Sequence, residues 1–194
     1  MIEIYETIKN CRICSSKNIK EVLDLGEQPP ANSLFKAIDE VPPRVPLRLM
    51  YCQNCSTVQL GEDVDPEYLF SQYLWVTGTS NTAIEHSHDF TKKALSQVDE
   101  VNMKPYVVEI ASNDGTFLKR FIENGCKVLG VDPAKNIADL AIKNGVPTNA
   151  NFFTVELAKQ LVNKDGEVDI VIARNVIPHV KEIHSVIEGM STLL

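Results

Sequence analysis

The chain has 194 residues, 19 Lys plus Arg against 26 Asp plus Glu, and a formal net charge of −7. That length suits one domain with a small module attached, and the acidic balance gives no electrostatic reason to bind nucleic acid or anionic membranes. No apolar run approaches the roughly 18 residues of a membrane span, and Met1 to Glu6 lacks a basic region ahead of an apolar stretch, so a cytoplasmic protein is expected.

Cys11-Arg-Ile-Cys14 and Cys52-Gln-Asn-Cys55 are two C-x-x-C knuckles separated by thirty-seven residues. Two such pairs suit a tetrahedral zinc ion, because each knuckle offers two sulfurs from one side of the metal. The interval exceeds the usual ribbon spacing of roughly 15–20 residues. Two disulfides are the rival, and they would require an oxidising compartment that the missing leader argues against. With all four positions filled by thiolate, the zinc is expected to be structural and to supply folding free energy to a module too small for much of a core. A nucleic-acid-binding ribbon is disfavoured by the acidic excess. Cys126 is left over and reads as a small buried hydrophobe.

Between the knuckles, Glu21 to Leu34 predicts a strand, a turn at Gly26 and a proline-directed loop, and Val41 to Tyr51 predicts a strand with its prolines near the start. Asp65 and Pro66 suit the N-cap and first position of a short helix. Ser71 to Ser80 is dense in aromatics and hydroxyls, a composition that lines a ligand pocket as readily as a core. Asn81 to about Gln97 predicts a helix carrying His86 and His88, which at (i, i+2) share no face and make a poor metal pair.

Val107 to Ala111 is the apolar run of a strand covered on both faces. Ser112, Asn113 and Asp114 then read as helix-capping residues before Gly115, with Phe117, Phe121 and Ile122 on one face of the following helix. Lys127 to Asp132 is a second strand ending on an acid seventeen positions after Gly115, the place from which a carboxylate grips a ribose hydroxyl pair. The turn keeps only one of the glycines that dinucleotide binding uses to bring backbone against a pyrophosphate, which disfavours NAD and FAD. A nucleoside with no phosphate and a cationic amino-acid tail suits Glu109 and Asp114, and S-adenosylmethionine fits that description. The plainer alternative is that any α/β protein has polar strand ends. Pro133 to Gly145 predicts a helix, Val146 to Thr148 a short strand, and Phe152 and Phe153 an aromatic pair that either flanks an adenine or packs. Glu167 to Val176 predicts the fourth strand, with Asn175 at its carboxyl end and His179 beyond it before a last helix to Leu194.

With these segments in view, the chain resembles the S-adenosylmethionine-dependent deoxysugar C-methyltransferases, which methylate C3 of a nucleotide-linked 4-keto sugar. The resemblance covers nearly all of the chain. It is carried by Leu23-Asp-Leu-Gly-Glu-Gln-Pro-Pro-Ala-Asn32, Cys52-x-x-Cys-x-x-x-Gln-Leu60, Tyr73-x-x-x-x-Gly-Thr-Ser80, Glu109-Ile-Ala-Ser-Asn-Asp-Gly115, Gly130-Val-Asp-Pro-Ala-x-Asn136 and Asn175-Val-x-x-His-Val180. It implies an α/β chain with a zinc-binding module over 1–65, a connecting segment over 66–100 and a Rossmann-like doubly wound domain over 101–194. It implies zinc on Cys11, Cys14, Cys52 and Cys55. The implied cofactor cradle is Glu109, Ala111, Ser112, Asn113, Asp114, Gly115, Asp132, Pro133, Phe153, Asn175 and Val176. His179 is the implied base, Tyr73 its partner toward the sugar, and His86 a weaker catalytic candidate. In the family the sheet continues past its fourth strand into a C-terminal domain, whereas this chain stops at Leu194. The expectation is therefore an incomplete member whose open sheet edge favours self-association. A non-catalytic zinc and Rossmann module, or a methyltransferase acting on another atom, is the alternative.

Overall fold

The computed structural model describes residues 4–31, 34, 37–98 and 104–194. Asn32 and Ser33 of the proline-directed loop, Met1 to Glu3 and the expected boundary at residue 101 lie outside the described residues. The chain forms two compact units, residues 1–71 and 72–194.

In the first unit, β1 (Tyr5–Thr7) pairs antiparallel with β5 (Glu62–Val64), and β2 (Ile19–Gln28), β3 (Val45–Cys52) and β4 (Val58–Leu60) form an antiparallel sheet in the order β2-β3-β4. The expected turn at Gly26 is instead a bulge inside a continuous strand. The register slips between Asp24 and Glu27, Gly26 takes φ +68°, and its N–H donates to Asp24 Oδ1 at 2.8 Å. A positive φ in mid-strand is a conformation that glycine adopts without steric cost. Pro46 opposes Glu27 at the start of β3, beyond the reach of β4, so its missing N–H breaks no ladder on that side. Helix α1 (Pro66–Phe70) begins as its sequence predicts, with Asp65 accepting from Glu67 N–H.

The second unit begins with a 3-10 turn at Thr77–Thr79 and α2 (Asn81–Leu95), capped by Ser80. A parallel sheet follows: β6 (Tyr106–Ile110), β7 (Lys127–Val131), β8 (Thr148–Asn149) and β9 (Ile170–Ala173), in the order β8-β7-β6-β9. The connections carry α3 (Thr116–Glu123), α4 (Lys135–Lys143) and α5 (Val155–Asp165), and α6 (Ile183–Leu193) closes the unit. This mixed α/β arrangement is a doubly wound parallel sheet of four strands among the described residues, with strand order reversing between β6 and β9. Every residue of β6 is buried. Val108 and Ile110 pack with Ala158 and Leu161 of α5 and Val186 and Leu193 of α6, while Val107 packs with Leu118 and Phe121 of α3 and Ala141 of α4.

One local expectation holds in part and two are corrected. The N-cap position of α3 is taken by Gly115, left-handed at φ +77°, while Asp114 Oδ1, as expected of a capping side chain, accepts the N–H of Thr116 at the start of the helix at 3.3 Å. The buried face of α3 is Phe117, Leu118 and Phe121, with Ile122 turned outward, because a continuous i, i+1, i+4 stripe faces the sheet. Val146 does not join the third strand. Its N–H donates to Ala141 C=O, closing α4 in a Schellman arrangement around Gly145, so pairing starts only at Thr148.

Candidate functional site

The four knuckle thiols converge. Cys11 Sγ and Cys55 Sγ lie 3.6 Å apart, Cys14 Sγ and Cys52 Sγ also 3.6 Å, and all four sulfurs fall within 4.8 Å of one another. Zinc–sulfur bonds of about 2.3 Å in a tetrahedron put sulfurs about 3.8 Å apart, whereas a disulfide needs about 2.05 Å. All five cysteines are free thiols, and Cys126 is buried in the core as expected. The donor set fits a structural zinc ion. Each knuckle closes the same way: Ser15 N–H donates to Cys11 C=O and Ser56 N–H to Cys52 C=O, both at 2.9 Å, and Ser15 and Ser56 both adopt positive φ. Gln59, a motif residue with no assigned role in the sequence, ties the first knuckle down. Its Oε1 accepts from Arg12 N–H at 2.9 Å and its Nε2 donates to Asn10 C=O at 3.2 Å.

In the second unit the candidate cofactor residues gather at the carboxyl ends of β6 and β7. Asp132 is buried, and its carboxylate accepts from Asn113 N–H and Ala134 N–H, each at 2.9 Å. Burial pushes its pKa up, and these two backbone donors oppose that shift. Each oxygen still has a lone pair for a hydroxyl. Pro133 lies half-buried between Asp132 and α4. Ala111 and Asn113 both take positive φ, and Gly115 sits so close to Val146 that an added Cβ would fall 2.8 Å from its side chain. Ser112 Oγ is buried without a hydrogen-bond partner and abuts Gly130, where a Cβ would meet it at 2.4 Å.

Glu109 is fully buried near the end of β6. Its Oε1 accepts from Arg174 Nε at 2.8 Å and Nη2 at 2.5 Å, and its Oε2 has no partner. Burial pushes its pKa up to about 7 against the pull of Arg174. Arg174 lies across Phe117, 3.2 Å from the ring centroid, and His86 meets the same ring edge-on at 5.8 Å. The sequence reading passed over Arg174, although a cation at the end of the apolar run Ile170 to Ala173 was the available signal.

The segment 73–80 crosses this turn. Asn113 Oδ1 accepts from Thr77 N–H at 2.8 Å, Asn113 Nδ2 donates to Trp75 C=O at 3.0 Å, and Asp114 Oδ2 accepts from Gly78 N–H at 3.0 Å. Asp114 Oδ1 is taken by Thr116. The side chains of Asn113 and Asp114, expected in the cofactor cradle, are thus engaged with this segment. Asn136, near the start of α4, accepts from Tyr73 N–H at 3.1 Å and donates to Tyr73 C=O at 2.8 Å.

The remaining candidates lie at or near the strand ends. Asn175 has φ +52° and is exposed, Val176 is half-buried against the core, and His179 is exposed on a 3-10 turn at Ile177–His179. Phe153 is buried in the core, its ring packed on Gly189, so packing accounts for it. Glu109 Oε2 and Ser112 Oγ, both buried without a partner, and the Asp132 carboxylate all belong to the carboxyl ends of β6 and β7, a set of oxygens that fits the polar groups of S-adenosylmethionine.

Comparison with known proteins agrees with both halves. Residues 11–70 match a family described as "Putative zinc binding domain", and residues 108–194 match a family described as "Methyltransferase domain". C-methyltransferase NovU of Streptomyces niveus is 30% identical over 196 aligned residues, which take in 100% of this chain and 46% of that protein. The chain therefore spans about half the length of this curated relative. Among solved structures, YcgJ from Bacillus subtilis aligns at 20% identity and TM-score 0.44 over 57% of this chain and 46% of that one. Magnesium protoporphyrin IX methyltransferase from Synechocystis PCC 6803 aligns at 16% identity and TM-score 0.44 over 58% and 56%. The four-cysteine cluster thus falls within the segment that matches a zinc-binding domain, and the Rossmann-like sheet that follows it in the chain falls within the segment that matches a methyltransferase domain.

Proposed function

We propose that this chain takes part in S-adenosylmethionine-dependent C-methylation of a nucleotide-linked keto-deoxysugar in the cytoplasm. The observation that carries the reading is the set of buried polar groups at the carboxyl ends of β6 and β7: the Asp132 carboxylate and the unpartnered oxygens of Glu109 and Ser112. The similarity to a C-methyltransferase supports carbon as the acceptor atom.

When bound, S-adenosylmethionine supplies an electrophilic methyl group on a sulfonium. Asp132 would hold the ribose hydroxyls, and Glu109, with its free oxygen, would offer negative charge toward the cationic end of the cofactor. Methylating a carbon beside a carbonyl requires removal of an α-proton, and the enolate pair then forms the new carbon–carbon bond as the sulfur–methyl bond breaks. His179 would take that proton on a ring nitrogen, since a neutral imidazole nitrogen is a proton acceptor and the residue stands exposed past the end of β9. Tyr73 would donate its phenolic hydrogen to the developing oxyanion.

Calorimetric titration of the zinc-loaded protein with S-adenosylmethionine and S-adenosylhomocysteine tests the cofactor reading. Micromolar binding in the wild type, lost in Asp132→Ala, is the expected result. A wild type that binds neither compound would overturn it. Product analysis with a nucleoside-diphosphate 4-keto-6-deoxyhexose then decides the acceptor, and a methyl group found on oxygen or nitrogen would overturn the C-methylation reading.

A further inference from the structure

Asn136 belongs to the run Gly130-Val-Asp-Pro-Ala-x-Asn136, yet the proposed chemistry gives it no task. It is exposed at the second position of α4, where a side chain is ordinarily free to vary. Instead its carboxamide closes a two-hydrogen-bond ring with the backbone of Tyr73, donor to acceptor and acceptor to donor. Asn113 repeats the arrangement a few residues on. Its carboxamide accepts from Thr77 N–H and donates to Trp75 C=O, while its own N–H is held by Asp132. Asp114 takes the N–H of Gly78, at a spot where a Cβ would fall 2.6 Å from the same oxygen.

Five backbone groups between Tyr73 and Gly78 are thus satisfied by three side chains, two from the loop after β6 and one from the first turn of α4. A segment without regular hydrogen bonding over most of its length holds its course only through such partners. The attachments are also in series. Asp132 fixes Asn113, Asn113 fixes Trp75 and Thr77, and Asn136 fixes the entry at Tyr73.

We propose that Asn136 is a positioning residue: it anchors the strap 73–78 across the carboxyl ends of β6 and β7, setting the place of Tyr73 and completing one side of the cofactor site. The inference rests on the methyltransferase reading of that site. Asn136 touches neither cofactor nor acceptor and acts through the strap backbone.

The test compares Asn136→Ala, Asn136→Asp and the control Lys135→Ala with wild type in the full chain, by amide hydrogen exchange without ligand and by S-adenosylhomocysteine titration. Asn136→Ala is expected to speed exchange at Tyr73, Thr77 and Gly78 together by about tenfold or more, leave the β6 amides unchanged, and weaken S-adenosylhomocysteine by about tenfold, as two lost hydrogen bonds imply. Asn136→Asp keeps the acceptor for Tyr73 N–H and should recover part of both effects, and Lys135→Ala should show neither. Faster exchange at Tyr73 alone, or an unaltered affinity, would overturn the proposal. Uniformly faster exchange through β6 would also overturn it, by marking a general loss of stability. If the wild type binds no S-adenosylhomocysteine, the cofactor reading fails and the site role fails with it, while the exchange pattern still decides the anchoring by itself.

Discussion

Glu109 and Arg174 form an ion pair that is anchored on one side only: Arg174 binds Oε1 twice, and Oε2 is buried with no partner. Desolvation holds the carboxyl at a pKa of about 7 against an ordinary 4.5. The folded state therefore binds more protons than the unfolded chain between those values. Its stabilising contribution is fully present below about pH 4.5 and is lost as pH rises through about 7. Glu109→Gln should flatten the pH dependence of stability across that window, removing a change on the order of 3 kcal/mol. Urea unfolding at pH 5.5 and pH 8 samples about 2 kcal/mol of that change, and parallel slopes in wild type and variant would refute the account.

Arg174→Ala should be the more damaging change at the higher pH. It leaves a buried carboxylate with no counter-charge and strips a guanidinium from the face of Phe117, a loss of about 3 kcal/mol or more. Arg174→Lys should recover only part of this, because a single ammonium cannot reproduce the paired Nε and Nη2 donation. Denaturation midpoints of the two variants at pH 8 provide the check.

Zinc content should be one ion per chain, and Cys52→Ser should abolish retention through dialysis. Removing the metal with a chelator is expected to erase amide protection in β2, β3 and β4 while β6 keeps its own, since the four thiolates are what gathers the small first unit. Metal analysis with hydrogen exchange reads both. Retained protection after complete metal removal would show that the ion is dispensable for folding.

Gly115→Ala should destabilise the second unit by about 2 kcal/mol or more, from a left-handed backbone and a Cβ placed 2.8 Å from Val146. Thermal unfolding measures the change. Val146→Ala in the same chain should relieve the steric part only partly, because the Val146 Cβ itself stands 2.8 Å from the added Cβ, and should leave the backbone part, giving a partly non-additive pair.

His179→Ala should leave S-adenosylhomocysteine affinity within about twofold and lower methyl transfer by roughly 10²–10⁴-fold. Titration and turnover together make the distinction. An equal loss in both would place His179 among the groups holding the site together.

Much of this architecture was legible in the sequence because it depends on short-range rules. Knuckle spacing foretold the sulfur cluster, and the apolar run Val107 to Ala111 and the acid at Asp132 foretold two adjacent parallel strands. Position along the chain also placed Asp65, Pro66 and Gly145 at helix ends. What escaped notice depends on partners far apart in the chain. Arg174 meets Glu109 across sixty-five positions, and Asn136 meets Tyr73 across sixty-three. No local pattern announces such pairs, and the motifs showed that Asn136 and Gln59 mattered without showing what they hold. The Gly26 bulge and the outward Ile122 were misread for a related reason: a lone glycine or a single apolar residue fits two geometries, and only the neighbouring strand or sheet decides between them.

The left-handed serines of the two knuckles bear on how firmly the module grips its ion. Ser15 and Ser56 sit at φ +58° and +62°, where a side chain costs roughly 1–2 kcal/mol that glycine would be spared. Both turns carry this cost while the thiolates converge, so loss of one thiolate contact is expected to let its turn relax and ease release of the metal from that side. Glycine at either position would slow the exchange of the ion with the surrounding pool.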